Sequence, residues 1–477
     1  MEILKILFVP EIFFIISILI ILLISTFLKN IAFKFSFYSS IILLIILSVL
    51  IFFGSVNTYF NYDYLFTSSH FINLFKILII ISTILCLLIS ENYLQDLNLE
   101  KFEIPLLILF SVFGMMIMIS SNNLMSMYLG IELQSLSLYV LASIQRDSLK
   151  SSESGLKYFV LGALASAFLL YGCSLIYGFT GETNFENIQE IINNEKNLNL
   201  GIVFGLIFII TALAFKVSAV PFHMWTPDVY EGSPTPITAF FAIVTKIAAI
   251  GIFIRILIEI FGNFLFEWKQ IIIFISISSM IVGALAAIVQ DNIKRLLAYS
   301  SIGHIGYILI GFTAISELGI RSIIIYLIIY IVMNVGIFSI LLSLKSDNIY
   351  IEKISNMSGL SKSNPIISFV LAIMMFSMAA VPPFAGFFAK FYIFIAAIES
   401  NLFFLALVGV LSSVVAAFYY IRIVKVMYFD QLTNNFELTL NYRVKLVILL
   451  SSAFISLFII KPSLIINISD LVSKTIL

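Results

Sequence analysis

The sequence predicts an all-α integral membrane fold with about 14 transmembrane helices. Hydrophobic residues make up 61% of the 477 residues and charged residues only 11%, whereas soluble domains carry about 25% charged residues. Apolar runs of about 20 residues, long enough to cross the hydrocarbon core as a helix, recur along the chain. They do not alternate between apolar and polar residues as membrane β-barrel strands do, so we predict helices.

The apolar runs place the spans, and most loops between them are short. The predicted spans are residues 6–28, 36–56, 71–90, 104–121, 123–144, 156–179, 200–222, 235–260, 270–290, 295–314, 321–344, 365–398, 402–428 and 444–467. The longest polar stretches are 180–199, which can hold a small amphipathic helix, and 345–364. The first apolar run lacks a small-x-small cleavage site, so we interpret it as a retained helix.

Two similar stretches indicate an internal repeat. Residues 215–222 read FKVSAVPF in span 7, and residues 376–384 read FSMAAVPPF in span 12. An offset of five spans reverses the direction through the membrane, so spans 4–8 and 9–13 are predicted to form an inverted repeat, as in many ion-coupled transporters. The prolines are predicted to break helices 7 and 12 near mid-membrane. A proline kink that serves packing alone is the alternative.

The repeat divides one polytopic domain into four parts. These are three N-terminal helices (1–103), the first repeat (104–260), the second repeat (261–428) and a C-terminal helix (429–477). The odd-numbered loops carry about 14 Lys and Arg residues, against about six in the even-numbered loops and the termini. The positive-inside rule therefore predicts both termini on the periplasmic or intermembrane-space side.

Four charged residues are predicted to lie deep inside spans, namely Glu132, Lys216, Lys246 and Lys390. Each costs about 2.5 to 3.5 kcal/mol on insertion scales, which points to a function in ion movement. A lysine removed from water holds its proton less tightly and can exchange it near neutral pH, as arginine cannot. A nearby carboxylate reverses this effect, and Glu132 is the predicted modulator of Lys216. A static Glu132–Lys216 ion pair that joins helices remains open.

Other charges within the spans lie within about two turns of a helix end, where long side chains can reach the interface. We interpret them as mostly structural; they are Lys76, Arg255, Glu259 and Arg422. Cys86 and Cys173 lie far apart in apolar runs and are interpreted as small buried hydrophobic residues. The sequence has no motif for a metal, flavin or dinucleotide, and its zero net charge does not suggest nucleic acid.

Two further motifs carry titratable side chains. His304 lies within KRLLAYSSIGHIGY, residues 294–307, where serine and tyrosine neighbours favour a proton relay. A hydrogen-bonded packing histidine is equally open. The loop after span 7 is proline-rich and predicts a rigid turn that starts span 8. Its Asp228 and Glu231 can guide protons inward, cap the helix or bind a neighbouring subunit.

These motifs also carry a family resemblance. Residues 294–307 resemble a signature of the antiporter-like membrane subunits of respiratory complex I and of multisubunit cation/proton antiporters. Residues 221–241, PFHMWTPDVYEGSPTPITAFF, resemble one branch of the complex I subunits, because the sister branches usually read H-x-W-L-P-D-A here. The resemblance extends over nearly the whole chain.

The resemblance implies a polar axis along the membrane midplane. In that axis Glu132 and Lys216 form a coupled pair, Lys246 is a connecting site, and Lys390 lies nearest the exit, with His304 between them. The implied activity is proton translocation by a non-redox subunit of NADH:quinone oxidoreductase. Electron transfer elsewhere would shift lysine protonation here through electrostatics in a low dielectric.

The same resemblance implies that this chain holds no cofactor, because NAD, FMN, iron–sulfur clusters and quinone belong to partner subunits. Expected neighbours are an antiporter-like subunit of the M type, a small subunit of the K type, and membrane lipid. The expected location is the bacterial inner membrane, or the mitochondrial inner membrane for an organelle-encoded chain. Two alternatives remain, a subunit of a multisubunit Na⁺/H⁺ antiporter and a structural membrane-arm subunit with no open proton path.

Overall fold

A computed structural model of the chain describes residues 10–29, 31–54, 65–194, 199–314, 316–346, 349–432 and 436–476. Three helices come first: α1 (Pro10–Phe27), α2 (Ala32–Phe53) and α3 (His70–Asp96). Predicted span 1 begins at residue 6, and residues 1–9 lie outside the described residues. The Ser69 hydroxyl accepts a hydrogen bond from the Ile72 amide and caps α3.

The part of the chain predicted as the first repeat contains seven helices, two of them short. They are α4 (Glu103–Ser120), α5 (Leu124–Ala142), α6 (Leu149–Thr180), α7 (Phe185–Asn194), α8 (Leu200–Val217), α9 (Trp225–Gly232) and α10 (Thr235–Ile254). A π-helical turn, Arg255–Ile260, continues α10. The amphipathic helix predicted within residues 180–199 is α7, which buries Phe185, Ile188 and Ile192.

The second repeat begins with a 3₁₀ turn, Gly262–Phe264. Its helices are α11 (Leu265–Ile288), α12 (Ile293–Ala314), α13 (Glu317–Leu341), the short α14 (Leu360–Ser363), α15 (Pro365–Met378), α16 (Ala385–Glu399) and α17 (Phe403–Phe429). Two helices follow, α18 (Tyr442–Leu457) and α19 (Ser463–Ser473).

The helices confirm the predicted all-α membrane fold. Within the described ranges, 12 helices are long and apolar enough to cross a membrane. The broken pair α15 and α16 corresponds to predicted span 12, and α18 corresponds to predicted span 14. Helix α10 is buried along its whole length. This helix packs against α3, α8 and α13, so it lies between the repeats.

The predicted breaks in spans 7 and 12 are present. Helix α8 ends at Val217, and the next residue, Ser218, has a left-handed φ of 64°. Helix α15 ends at Met378, and Ala380 has a φ of 61°. Each break thus contains a non-glycine residue in the left-handed region shortly before a proline. The matching geometry agrees with a repeat of spans 4–8 in spans 9–13.

Two local predictions are wrong, and a small sheet is present that the sequence did not predict. Predicted span 14 is divided, because α18 ends at Leu457 and Pro462 precedes α19; a proline disfavours helical conformation in the residue before it. The predicted turn after span 7 contains a helix, α9. The polar stretch 345–364 contributes to a small antiparallel sheet in the order β2–β1–β3. Its strands are β1 (Leu344–Ser346), β2 (Ile349–Tyr350) and β3 (Phe436–Leu438).

Candidate functional site

Helix α5 is held close to α4, and this contact orients its polar face. A Cβ atom added to Gly130 would lie 2.7 Å from the Met118 amide nitrogen, and one added to Gly114 would lie 2.6 Å from that of Gln134. Only glycine permits such an approach, as at many membrane helix contacts. The same helix carries Glu132 among apolar neighbours.

Glu132 and Lys216 do not form an ion pair within the described part of the chain. Lys216, in the last turn of α8, donates instead to the Ser135 hydroxyl, with 2.6 Å between Nζ and Oγ. Glu132 Oε1 is buried and has no hydrogen-bond partner among the described residues. The static ion pair that the sequence left open is therefore not formed.

Lys246 binds the broken end of α8. Its Nζ atom donates to the Val217 carbonyl at 2.6 Å and to the Ser218 hydroxyl at 2.5 Å. The side chain is fully buried, and Nζ lies 5.7 Å from the centroid of the Trp225 ring. The break frees a carbonyl that a continuous helix would have paired, and Lys246 satisfies it. Lys216 therefore directly precedes, in the chain, the two residues that Lys246 binds.

Trp225 closes the other side of this break. Its indole Nε1 donates to the Phe215 carbonyl at 3.0 Å. The indole stacks on the Tyr158 ring of α6, with centroids 4.5 Å apart and planes 10° apart. These contacts fix the position of the backbone that Lys246 binds.

Tyr330 of α13 joins the two repeats. Its hydroxyl donates to the Ala242 carbonyl at 3.2 Å, one turn before Lys246 on α10. The same hydroxyl lies 3.0 Å from Ser301 Oγ on α12. The Tyr330 ring also lies 5.4 Å from the His304 ring, between centroids. The connection between the first-repeat lysines and His304 thus passes through α13.

His304 is held on both ring nitrogens by tyrosine hydroxyls. Nδ1 lies 2.6 Å from the Tyr326 hydroxyl, and Nε2 lies 3.1 Å from the Tyr420 hydroxyl. The Tyr420 hydroxyl is also 2.5 Å from Ser300 Oγ. A neutral imidazole donates from one nitrogen and accepts at the other. Each tyrosine can take either role, so this set of groups can pass a proton or only orient the ring.

Lys390 lies in α16 and is buried. Its Nζ atom is 4.5 Å from the centroid of the Tyr307 ring, a cation–π contact. The Tyr307 hydroxyl lies 3.1 Å from Ser412 Oγ on α17. Within the described residues, no carboxylate pairs with Lys390. The aromatic contact therefore brings Lys390 next to the His304 helix.

Asp228 and Glu231 of α9 lie in a cluster of ion pairs. Asp228 pairs with Lys157 at 2.8 Å and with Arg295 at 2.7 Å, and Glu231 pairs with Lys150 and Arg295, both at 3.0 Å. Burial would raise the pKa of both carboxyl groups, but hydrogen bonds from these cations outweigh it and hold each pKa below its usual value. Both carboxylates are therefore charged at neutral pH.

A cavity of about 580 Å³ lies beside this cluster. Lys157, Asp228, Arg295 and Tyr299 line it, together with His223 from the break. The cavity therefore extends from His223, which follows the break in span 7, to Arg295 in the cluster of ion pairs.

The charged residues interpreted as structural all have partners. Lys76 pairs with Glu11. Arg255 pairs with Glu259 at 2.8 Å and also donates to the carbonyls of Ile119 and Ser121. Arg422 pairs with Asp291 at 2.9 Å. These side chains join helix ends and loops, so their interpretation as structural residues fits their contacts.

Cys86 and Cys173 are free and buried, as the sequence suggested. No group of three or more His, Cys, Asp or Glu side chains arranged to hold a metal ion occurs among the described residues.

Sequence reasoning did not identify most of the groups that contact the deep lysines, His304 and Tyr307. They are Ser135, Ser218, Trp225, Tyr326, Tyr330, Ser412 and Tyr420. Buried hydroxyl residues in apolar helices were a usable signal, because such groups need partners. The sequence does not indicate which of its many serines and tyrosines contact these side chains.

Comparison with known proteins gives the family of the chain. The family model of the NADH:quinone oxidoreductase/Mrp antiporter membrane region matches residues 121–416. NADH-quinone oxidoreductase subunit N of Pelagibacter ubique is 51% identical over 462 residues, covering 96% of this chain and 97% of the relative. Subunit N of Rhodospirillum rubrum is 52% identical over 403 residues, covering 84% and 83%.

Solved structures extend the comparison. A chain of respiratory complex I from Thermus thermophilus is 25% identical with a TM-score of 0.76, covering 94% of this chain and 98% of that chain. A chain of the Mrp complex from Dietzia sp. has a TM-score of 0.85 at 18% identity, covering 98% and 97%, which shows a shared fold. With deep lysines at a broken span and extensive similarity to subunit N sequences, the chain belongs to the NADH:quinone oxidoreductase/Mrp antiporter family of membrane subunits.

Proposed function

We propose that this chain is the antiporter-like, proton-translocating N subunit of an NADH:quinone oxidoreductase. One observation carries the proposal: two buried lysines and one partly buried lysine lie against uncharged partners and not in fixed ion pairs among the described residues. Lys216 binds a hydroxyl, Lys246 a carbonyl and a hydroxyl, and Lys390 an aromatic ring. A buried lysine without a fixed counter-charge can release its proton, because its charged form is costly in low dielectric.

The order of contacts suggests how charge moves. An approach of Glu132 to Lys216 would favour the charged form of that lysine. The added positive charge would then disfavour the charged form of Lys246, which binds the adjoining residues of the same break. Hydroxyl groups of α12, α13 and α17 lie between Lys246 and Lys390. A hydroxyl can accept a proton on one side while it donates its own on the other, so these groups can pass a proton and remain neutral.

The relatives' names support a place within the same enzyme complex. In that assembly NAD, FMN, iron–sulfur clusters and quinone would belong to other subunits, with neighbours of the M and K types. The chain itself would act as a non-redox translocase subunit. The loop charges favour both termini on the periplasmic or intermembrane-space side of the inner membrane. The two five-helix repeats would then provide two linked half-paths.

Replacing Lys216 by Ala tests the proposal. The expected result is a loss of NADH-driven proton pumping by about tenfold or more, because a positioned proton-transfer group is removed. Pumping is measured in inverted membrane vesicles, with assembly checked by native electrophoresis. Lys425→Ala is the control, because Lys425 is exposed and pairs only with Asp430 among the described residues. Full pumping by assembled Lys216→Ala complex would refute the role.

A subunit of a multisubunit Na⁺/H⁺ antiporter is the second candidate, since the family includes such subunits and the Mrp structure shares the fold. Purification of the tagged chain from its native membrane distinguishes the two. Recovery of iron–sulfur subunits supports the oxidoreductase, whereas recovery of a complex without any redox subunit supports the antiporter.

A further inference from the structure

Ser135 lies one turn from Glu132 on the same face of α5. Residues three apart on a helix are neighbours on its surface. Ser135 is buried, with 1% of its surface exposed, so solvent does not compete for its hydroxyl. The side chains of Glu132 and Ser135 therefore present two acceptors to α8, one charged and one neutral.

The Ser135 hydroxyl is oriented as an acceptor. It donates its own proton to the Ile131 carbonyl of the preceding turn, at 2.5 Å. A hydroxyl has one proton to donate and two lone pairs. With that proton engaged, Ser135 presents lone pairs to Lys216, whose Nζ atom lies 2.6 Å away.

The Glu132 carboxylate, one turn before Ser135, has an acceptor oxygen that no described residue uses. Glu132 Oε1 is buried without a partner in the described part of the chain, an arrangement that costs free energy. A lysine ammonium has three donors, and the bond to Ser135 uses one. A small movement of the Lys216 side chain can therefore exchange the neutral acceptor for the charged one.

We propose that Ser135 is a positioning residue that holds Lys216 apart from Glu132, so that Lys216 has two alternative positions one helical turn apart. This inference rests on the proposed function. In the position apart from Glu132, Lys216 is bound by the Ser135 hydroxyl. The lysine moves to Glu132 when the pair forms and returns to Ser135 when the pair opens. Without the hydroxyl, Lys216 stays with Glu132 and pumping slows.

The test compares three serine variants in the assembled complex. Ser135→Ala is expected to lower NADH-driven pumping about fivefold to tenfold, the size of one typical hydrogen bond. Ser135→Thr keeps a hydroxyl that can donate to Ile131 and is expected to restore most of the pumping. The matched control is Ser137→Ala, since Ser137 is also buried and donates to a carbonyl four residues back, that of Leu133.

A double variant separates positioning from a purely structural role. In a Glu132→Gln background the lysine has no carboxylate to stay with, so adding Ser135→Ala is expected to change pumping less than twofold. An unchanged fivefold to tenfold loss in that background, or an equal loss in Ser137→Ala, would overturn the inference. If Lys216→Ala alone left pumping intact, the proposed function would fail instead.

Discussion

The breaks in the two repeats share a backbone shape and differ in what binds to them. Ser218 and Ala380 are both left-handed, with φ of 64° and 61°, and each lies three residues before a proline, Pro221 or Pro383. The Ser218 hydroxyl contacts Lys246. Ala380 has no hydroxyl to offer. The repeat thus preserves the break while changing its chemistry.

The surrounding groups differ in the same way. The first repeat places a carboxylate, Glu132, near lysines that bind a carbonyl and two hydroxyls. In the second repeat Lys390 faces an aromatic ring, and His304 is held by tyrosine hydroxyls. We infer that Glu132 and the lysines of the first repeat redistribute charge among themselves. Lys390 and His304 of the second repeat would then take up or release a proton in response.

The largest expected contrast comes from removing one lysine in each region. Lys246→Met leaves the Val217 carbonyl without its donor in a buried site, which costs about 1 to 3 kcal/mol of stability. Lys390→Met keeps a side chain of similar length on the Tyr307 ring and frees no carbonyl. Both should reduce pumping about tenfold or more, but only Lys246→Met should shorten the half-life of activity on heating. Equal heat sensitivity would contradict the contrast.

A smaller effect is expected from exchanging the residues at the two breaks. Ser218→Ala removes one of the two hydrogen bonds of Lys246 and should reduce pumping about fivefold, in line with the loss of one typical hydrogen bond. Ala380→Ser adds a hydroxyl where no lysine is held and should stay within about twofold of the unaltered protein. Vesicle pumping assays on both variants measure this. A larger loss from Ala380→Ser would show that the breaks are more alike than their contacts indicate.

The smallest effect is expected at Asp228, which occupies the position of Lys390 when Pro221 is aligned with Pro383. Its pKa is held below the usual value because hydrogen bonds from Lys157 and Arg295 outweigh burial. The ion pairs therefore add stability above the unfolded pKa of about 4, and that stability is lost as pH falls through the folded pKa.

Asp228→Asn should accordingly lower stability at pH 7 by less than about 1 kcal/mol, because the pairs are partly exposed. The difference from the unaltered protein should shrink as pH drops below about 4. Thermal unfolding of the purified protein in detergent, followed by intrinsic fluorescence at several pH values, measures both. A difference that grows in acid would contradict the sign.

Much of the fold follows from local sequence. Runs of apolar residues placed the membrane helices because lipid leaves no other way to pair the backbone. The prolines at 221 and 383 predicted the broken spans because each removes a backbone donor. The sheet was missed because its hairpin of β1 and β2 contains only two residue pairs, and because β1 pairs with β3 about 90 positions away, as Lys345 does with Glu437. Such pairing has no local signature.

In the candidate site, too, some features follow from local sequence and others from long-range packing. The sequence by itself indicated which charges stand within apolar runs, since Glu132, Lys216, Lys246 and Lys390 lie in segments that otherwise reject charge. Only the tertiary structure decided their partners. Lys216 binds Ser135 and forms no ion pair with Glu132. Lys246 binds a carbonyl that is unpaired within its own helix only because that helix is broken. A side chain's cost depends on its own segment, but its hydrogen bonds depend on how distant segments pack.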